Sequence, residues 1–136
     1  MLLNIHIKNM ALIDEVDIDF SDNLNILTGE TGAGKSILID SVMIALGGKA
    51  PKDFVRKDAE YGLVELVFSV SQEDIINKLR RMEIPDIESG ELILSRKITE
   101  NRSISKVNGE TVTIAKLREI ASLLIDLHAQ HENQSL

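Results

Sequence analysis

The chain has 136 residues, of which 43% are hydrophobic, enough for one domain with its own core. Its 15 basic and 22 acidic residues give a net charge of −7, which argues against a surface that binds nucleic acid through bulk positive charge. The chain has no cysteine, which excludes disulfides and thiolate metal sites, and no apolar run approaches the ~18 residues of a membrane span. Since the first residues also lack the order of a signal peptide, we expect a cytoplasmic protein.

Alternating apolar and polar residues predict two strands near the start of the chain. Leu3 to Ile7 and Val16 to Phe20 each read as a half-buried strand, and the short connection from Asn9 to Asp14 predicts that they pair antiparallel. After a turn, Leu24 to Thr28 predicts a compact apolar strand.

The remaining elements alternate between helix and strand, which predicts an α/β domain with a mixed sheet and flanking helices. The strongest hairpin signal is Asn108-Gly109. Three helices are predicted: one from Lys35 to Leu46 stopped by Gly47-Gly48, one opened by a capping box at Ser71 and Asp74 and ending near Met82, and one capped by Thr113 from Ile114 to about Leu124. The predicted strands between them are Gly62 to Val70, Leu92 to Leu94 and Ile104 to Val107.

A glycine-rich turn lies between the strand at residue 24 and the helix at residue 35. It reads GETGAGKS and fits G-x-x-x-x-G-K-[ST] at every fixed position. The glycines let successive N–H groups converge on phosphate oxygens, and the helix that follows adds the positive end of its dipole. We expect Lys35 to reach the β- and γ-phosphates and the Ser36 hydroxyl to hold Mg²⁺. The predicted ATP-binding residues are Gly29, Glu30, Thr31, Gly32, Ala33, Gly34, Lys35 and Ser36, with Glu30 and Thr31 contributing backbone N–H groups only.

Hydrolysis requires a further group, an apolar strand that ends in an Asp and is often followed by a catalytic Glu. The nearest candidate is Leu123 to Asp126, but Leu127 follows it and the apolar residues continue a helical pattern from Ile114. The pattern therefore favours a helix end or a short strand over a Mg²⁺-binding Asp126. The sequence also contains no L-S-G-G-type signature, so it predicts nucleotide binding and not hydrolysis.

These motifs together resemble a known family. The segment LNIHIKNMALIDEVDIDFSDNLNILTGETGAGKSILIDSVMIALGGK is similar to the opening of SMC-type ATPase heads, which are ABC-type P-loop ATPases. Resemblance to the RecN branch of bacterial DNA-repair proteins is strongest in three segments, GETGAGKSILIDS, LGGKA and DLHAQHENQSL. The resemblance covers nearly the whole chain, and residues 69–91 are its least distinctive part.

The resemblance implies an incomplete head. In this family the N-terminal part carries the phosphate loop, a coiled coil follows, and a C-terminal lobe of the same polypeptide supplies the signature loop and the catalytic acids. We therefore expect residues 1–136 to form a single N-terminal lobe, without the coiled coil and the C-terminal lobe. The resemblance further implies that ATP is held between two heads, that hydrolysis releases them, and that the assembly acts on DNA in double-strand-break repair and recombination, in the bacterial nucleoid and away from membranes.

The resemblance also assigns residues outside the phosphate loop. Gln130 stands where the family has a Q-loop glutamine that coordinates Mg²⁺ and orients the attacking water, although Ala129 replaces the family's usual glycine. Lys8 and Asn9 match a turn near the adenine and ribose, and Arg56 matches an arginine that approaches the nucleotide. The implied catalytic residues are thus Lys35 and Gln130.

Several alternatives remain open from the sequence. His128, His131 and Glu132 suggest a zinc site without an evident further ligand, and the basic residues around Arg56 also fit a solvated loop. Lys8 and Asn9 fit a solvated strand end equally well. Arg102 matches a family position without an assigned role.

Two alternative functions also remain. The first is a self-sufficient nucleotide-binding switch or small kinase, which requires Asp126, or another Asp at a strand end, to lie beside Ser36. The second is an ATP-gated interaction module whose main event is the engagement of a partner head.

Overall fold

The computed structural model describes residues 1–20, 32–51 and 53–134, with the backbone alone for 32–35 and 126–134. The secondary-structure elements alternate between strands and helices, as the sequence predicts. They are β1 (Leu2–Met10), β2 (Ile13–Asp19), α1 (Gly32–Ala45), β3 (Gly62–Ser69), α2 (Glu73–Arg81), a 3₁₀ turn (Ile87–Ser89), β4 (Glu91–Ile98), β5 (Ser103–Val107), β6 (Glu110–Val112) and α3 (Ile114–Gln134).

The described strands form one six-stranded sheet in the order β2-β1-β3-β4-β5-β6. The predicted α/β class is confirmed, as is the antiparallel pairing of β1 with β2. All five described strand pairings are antiparallel. A mixed sheet would depend on the predicted strand from Leu24 to Thr28, which lies outside the described residues.

The strand register places the apolar side chains on one face of the sheet. Ile5 pairs with Leu66, Leu66 with Leu94, and Leu94 with Val107, so the four side chains form a row across the sheet. All four are buried. Helix α1 packs over the β1–β3 end of this face, while α2 and α3 pack over the β4–β5 end. The sheet thus buries the face on which α1 lies.

The C-terminal end of α1 is a Schellman motif. Gly47 has φ +107°, its N–H donates to the Ile44 carbonyl at 3.0 Å, and the Gly48 N–H donates to the Met43 carbonyl at 2.9 Å. The predicted stop at Gly47-Gly48 is confirmed.

Two helix starts test the predicted caps. The Thr113 hydroxyl accepts a hydrogen bond from the Lys116 N–H at 3.1 Å, which confirms Thr113 as the cap of α3. The predicted capping box at Ser71 is wrong, because α2 begins at Glu73 and its N-cap residue is Gln72, without a side-chain cap. The carboxylates of Glu73 and Asp74 in the first turn of α2 supply the favourable charge instead.

The last elements that the structure describes are the hairpin of β5 and β6 and helix α3. Asn108 and Gly109 both have positive φ and join β5 to β6, as predicted. Helix α3 continues to residue 134, about ten residues beyond its predicted end. Within the described part of the chain, no helix has the length and apolar character needed to cross a membrane.

Replacement of Gly47 tests the end of α1. A Cβ at residue 47 would lie 2.6 Å from Cγ of Arg118 on a backbone with positive φ, so we expect Gly47→Ala to lower the free energy of unfolding by about 2–4 kcal/mol. Gly109 also has positive φ but open space around its Cβ position, so Gly109→Ala should cost only about 1 kcal/mol. Urea denaturation measures both, and equal losses would contradict the proposed steric contact.

Candidate functional site

Helix α1 begins inside the glycine-rich motif. The sequence predicts a start at Lys35, and the structure places it at Gly32. Because the first four N–H groups of a helix have no intrahelical partner, the free donors of α1 belong to Gly32, Ala33, Gly34 and Lys35. The earlier motif residues, Gly29 to Thr31, lie outside the described residues.

The first turn of α1 carries no acidic residue, whereas the first turn of α2 carries Glu73 and Asp74. The positive end of α1 therefore has no carboxylate in its own first turn to neutralise it. The Ser36 side chain, one residue further along, is exposed. This end of the helix can accept an anion such as phosphate.

A second group of predicted residues meets at the corner where β1 turns into β2. Asn9 has φ +55°, its carbonyl accepts the Arg56 N–H at 3.2 Å, and its side-chain amide donates to the Tyr61 carbonyl at 3.3 Å. Met10 also bridges to Val55. We call this contact between residues 9–12 and 53–58 the corner. It brings together Asn9 and Arg56, which are 47 positions apart in the chain.

The Arg56 side chain is engaged by two carboxylates at the corner. Its Nη1 donates to Asp14 Oδ1, and its Nε lies 3.7 Å from Asp58 Oδ1. Both aspartates are more than three-quarters exposed, whereas the arginine side chain is about one-third exposed. Exposed pairs of this kind are weak, so a phosphate group can replace either carboxylate as the partner of Arg56.

Lys8 is placed differently. Its strand partners are Glu15 and Leu63, so its side chain belongs to the face opposite the buried Ile7. Its ammonium lies 5.9 Å from the ring centroid of Tyr61, and the Lys97 ammonium lies 4.6 Å from the same ring. The backbone of Lys8 adjoins the corner, but its side chain faces away from α1, so its role in nucleotide binding stays a prediction.

Helix α3 carries the remaining predicted residues. Residue 126 lies inside this helix, which agrees with the helical pattern that the sequence favours for Leu123 to Asp126 and excludes the alternative of an acidic strand. Gln130 also lies in this helix and not in a loop, and Ala129, at the family's glycine position, is a residue type that favours helix. The side chains of His128, Gln130, His131 and Glu132 lie outside the described residues. Among the side chains that are described, no group of three His, Asp or Glu could hold a metal.

Sequence reasoning missed two arginines that hold the C-terminal end of α1. Nη1 of Arg96, on β4, donates to the carbonyls of Ile44 at 2.8 Å and Gly48 at 2.6 Å. Nε of Arg118, on α3, donates to the Gly47 carbonyl at 2.9 Å. Cations suit this end because the last carbonyls of a helix carry its negative dipole.

Arg96 is 6% exposed, and its burial, followed by the charge of Arg118, lowers the pKa of its guanidinium below the ordinary value. The sequence contains a pattern that indicates this buried position of Arg96. Leu92, Leu94, Arg96 and Ile98 alternate along β4, which places a cation on the buried face.

The comparisons with known proteins give one family. A family model described as "AAA domain" matches residues 4–135. The chain is 42% identical over its whole length to the DNA repair protein RecN of Bacillus subtilis (strain 168), and it spans 24% of that protein. It spans about a quarter of the length of the curated relatives that it matches.

Solved structures show the fold. One comes from work on ATP-driven dimerization and DNA-stimulated activation of SMC ATPases. It superposes with a TM-score of 0.68 at 22% identity, over 89% of this chain and 77% of that chain. The recombination mediator protein RecF with ATP superposes with a TM-score of 0.61 at 19% identity, over 86% of this chain and 30% of the other. The chain therefore has the fold of SMC-type and RecF ATPase heads.

The corner yields a prediction about what holds it together. Asp14→Asn removes an exposed ion pair and should weaken the docking of residues 53–58 by less than about 1 kcal/mol. Phe54→Ser removes a half-buried ring from the cluster beneath α1 and should weaken it by about 2 kcal/mol. Amide hydrogen exchange at the Arg56 N–H measures both effects. Equal release of Arg56 in the two variants would contradict the prediction, because it would mean that the ion pair contributes as much to the corner as apolar packing does.

Proposed function

Because the chain belongs to the AAA domain family, we propose that it is the ATP-binding N-terminal lobe of an SMC-like ATPase head that acts in DNA double-strand-break repair and recombination. The observation that carries the proposal is the GETGAGKS motif running into the first turn of a helix that has no acid of its own there. The similarity to RecN supports the biological role.

The phosphates bind at the start of α1. The free N–H groups of residues 32–35 surround the triphosphate with those of Gly29 to Thr31, and the Lys35 ammonium balances its charge. Ser36 follows directly on an exposed position, where its hydroxyl would hold Mg²⁺. By the family resemblance, Gln130 would also hold Mg²⁺ and orient the attacking water.

The corner binds the nucleoside end of ATP. Phe54, Val55 and Met10 of the corner and Leu38 of α1 belong to one apolar cluster, so the corner is tied to the helix that holds the phosphates. Asn9 offers polar groups to the ribose, and Arg56 exchanges an aspartate for a phosphate oxygen when the nucleotide binds.

The catalytic carboxylate comes from another part of the polypeptide. Since residue 126 lies within α3, the sequence's nearest candidate for an acidic strand is lost. A C-terminal lobe would supply the acidic strand and its Glu, and a second head would supply the signature loop across the ATP. We therefore propose that this chain binds ATP·Mg²⁺ and does not turn it over efficiently alone.

The exposed side of α1 carries apolar side chains, as expected if a C-terminal lobe covers it. Ile39 and Met43 lie four residues apart on one face of the helix and are 58% and 54% exposed. Ile125 of α3 is 51% exposed. Exposed apolar side chains on consecutive turns of a helix favour a covering partner, and the C-terminal lobe of the same polypeptide is the proposed one.

One prediction of the proposed function concerns the phosphate site. Lys35→Ala should weaken the binding of ATP·Mg²⁺ at least tenfold, because it removes the cation nearest the β- and γ-phosphates. Lys49→Ala is the matched control, since Lys49 is exposed beyond the other end of α1 and should leave affinity unchanged. Isothermal titration calorimetry measures both. Steady ATP hydrolysis by the wild-type chain, abolished by Lys35→Ala, would instead favour a self-sufficient enzyme.

Another prediction of the proposed function concerns the exposed side of α1. Wild-type chain should self-associate at high concentration, and the double variant Ile39→Ser, Met43→Ser should reduce this, because the exposed apolar pair has no partner in the isolated lobe. Leu12→Ser is the control and should leave self-association unchanged, since Leu12 is an exposed apolar residue (83%) on the β1–β2 turn and not on α1. Sedimentation velocity measures association, and a monomeric wild-type chain would contradict the prediction.

A further inference from the structure

The side chain of Asn108 joins the β5–β6 hairpin to β4. The Asn108 backbone N–H donates to the Ile93 carbonyl at 2.9 Å, and its Oδ1 accepts the Ile93 N–H at 2.7 Å. Paired residues in an antiparallel ladder usually exchange two backbone hydrogen bonds. The side-chain oxygen of Asn108 therefore takes the place of a backbone carbonyl at the point where β5 turns toward β6.

The amide nitrogen of the same side chain holds a second part of the chain. Nδ2 of Asn108 donates to the Pro85 carbonyl at 2.7 Å and to the Glu91 carbonyl at 3.3 Å. These carbonyls lie at the two ends of residues 85–91, which we call the 85–91 segment. Asp86 has φ +54° in this segment, a conformation that residues other than glycine seldom adopt. The Asn108 amide thus fixes an unfavourable piece of backbone against the hairpin.

Gly109 follows Asn108, and this pair permits a reaction between the backbone and the side chain. The Gly109 nitrogen attacks Cγ of Asn108, the bond from Cγ to Nδ2 breaks, and ammonia leaves as a cyclic imide forms. Water then opens the imide at either carbonyl, which leaves aspartate or isoaspartate at residue 108. The net reaction consumes water, releases ammonia and involves no oxidation or reduction. Glycine favours the attack because it has no Cβ to shield its nitrogen, and the space around Gly109 is open.

The folded hairpin opposes this reaction. Oδ1 and Nδ2 of Asn108 are both engaged by partners on β4 and in the 85–91 segment. Nδ2 is the group that must leave, and it is the donor in two of these hydrogen bonds. Cγ can therefore meet the Gly109 nitrogen only after the side chain has left its partners. The rate of the reaction should depend on how often the hairpin separates from β4.

The product would not fit the same position. A carboxylate has no hydrogen to donate, so the carbonyls of Pro85 and Glu91 would face a negative oxygen in place of their donor. Asn108 also lines a shallow cavity together with Asp86 and Glu91, so a new carboxylate there would meet two others of the same charge. Isoaspartate would in addition lengthen the backbone of the tight turn.

We propose that Asn108-Gly109 is a site of spontaneous deamidation whose rate the folded hairpin limits, and that conversion of Asn108 to aspartate or isoaspartate frees the 85–91 segment. The inference is independent of nucleotide binding. Because the reaction is irreversible, its product accumulates in chains whose hairpin opens.

The first test follows deamidation of the 136-residue chain at mildly alkaline pH by peptide mass spectrometry. The folded chain should convert Asn108 at least about tenfold more slowly than the same chain in guanidinium chloride. Unfolded Gly109→Ala is the control and should lose the reaction at residue 108, because its Cβ shields the attacking nitrogen. Equal rates in the folded and unfolded wild-type chain would overturn the inference, as would an unreactive Asn108 in the unfolded chain or an unchanged rate in unfolded Gly109→Ala.

The second test measures the 85–91 segment by amide hydrogen exchange. The Ser89 and Gly90 N–H groups donate within this segment, to the carbonyls of Asp86 and Ile87. Asn108→Asp reproduces one product and should speed their exchange at least about fivefold, since two hydrogen bonds are lost.

Asn101→Asp is the matched control for the second test, because it adds the same charge on the exposed β4–β5 turn. It should change exchange at Ser89 and Gly90 by less than about twofold. If Asn108→Asp fails to fold, Asn108→Ala removes the same two donors without adding a charge. Wild-type exchange at Ser89 and Gly90 in the folded Asn108 variant would overturn the proposed release of the segment.

Discussion

The placement of α1 depends on a cation that is buried on the inner face of the sheet. The alternation along β4 directs Arg96 inward among apolar neighbours, and its register with Val64 and Ser105 fixes the site at which its charge must be balanced. The last carbonyls of α1 provide that balance. Since removing either partner would leave a buried polar group unsatisfied, the C-terminal end of the helix has one stable position on the sheet.

This constraint explains why the opposite end of α1 suits a ligand. The C-terminal dipole is satisfied internally by two arginines and by the Schellman motif, whereas the first turn has free N–H groups and no acid. A helix held firmly at one end can present a fixed set of donors at the other, and such preorganisation lowers the cost of binding a charged phosphate chain.

Sequence periodicity predicted most of the fold because the sheet has one buried face. Alternation along β1 and β3 gave the strands, and Asn108-Gly109 gave the hairpin, since each signal is local. The end of α3 was missed because its apolar pattern fades after Leu124, while residues 125–134 contain neither Gly nor Pro to stop a helix. The capping box at Ser71 was wrongly predicted, because two neighbouring acids, Glu73 and Asp74, serve the same helix end.

Only part of the candidate site could be predicted from the sequence, because only local signals can be recognised there. The phosphate motif is contiguous, and its setting before a helix is confirmed from residue 32 onward. Asn9 and Arg56 came only from a family resemblance, because their meeting at the corner requires a fold that joins distant segments. Arg118 had no signal at all, since its partner is a backbone carbonyl that any residue would offer.

The most direct test of ATP binding at the start of α1 is to follow the backbone amide resonances of the chain by NMR while ATP·Mg²⁺ is added. ATP bound at the start of α1 should give the largest shifts at residues 29–36, smaller ones at the corner and none at Asn108-Gly109. Shifts centred on the hairpin, or no shifts at residues 29–36 at saturating ATP, would contradict it.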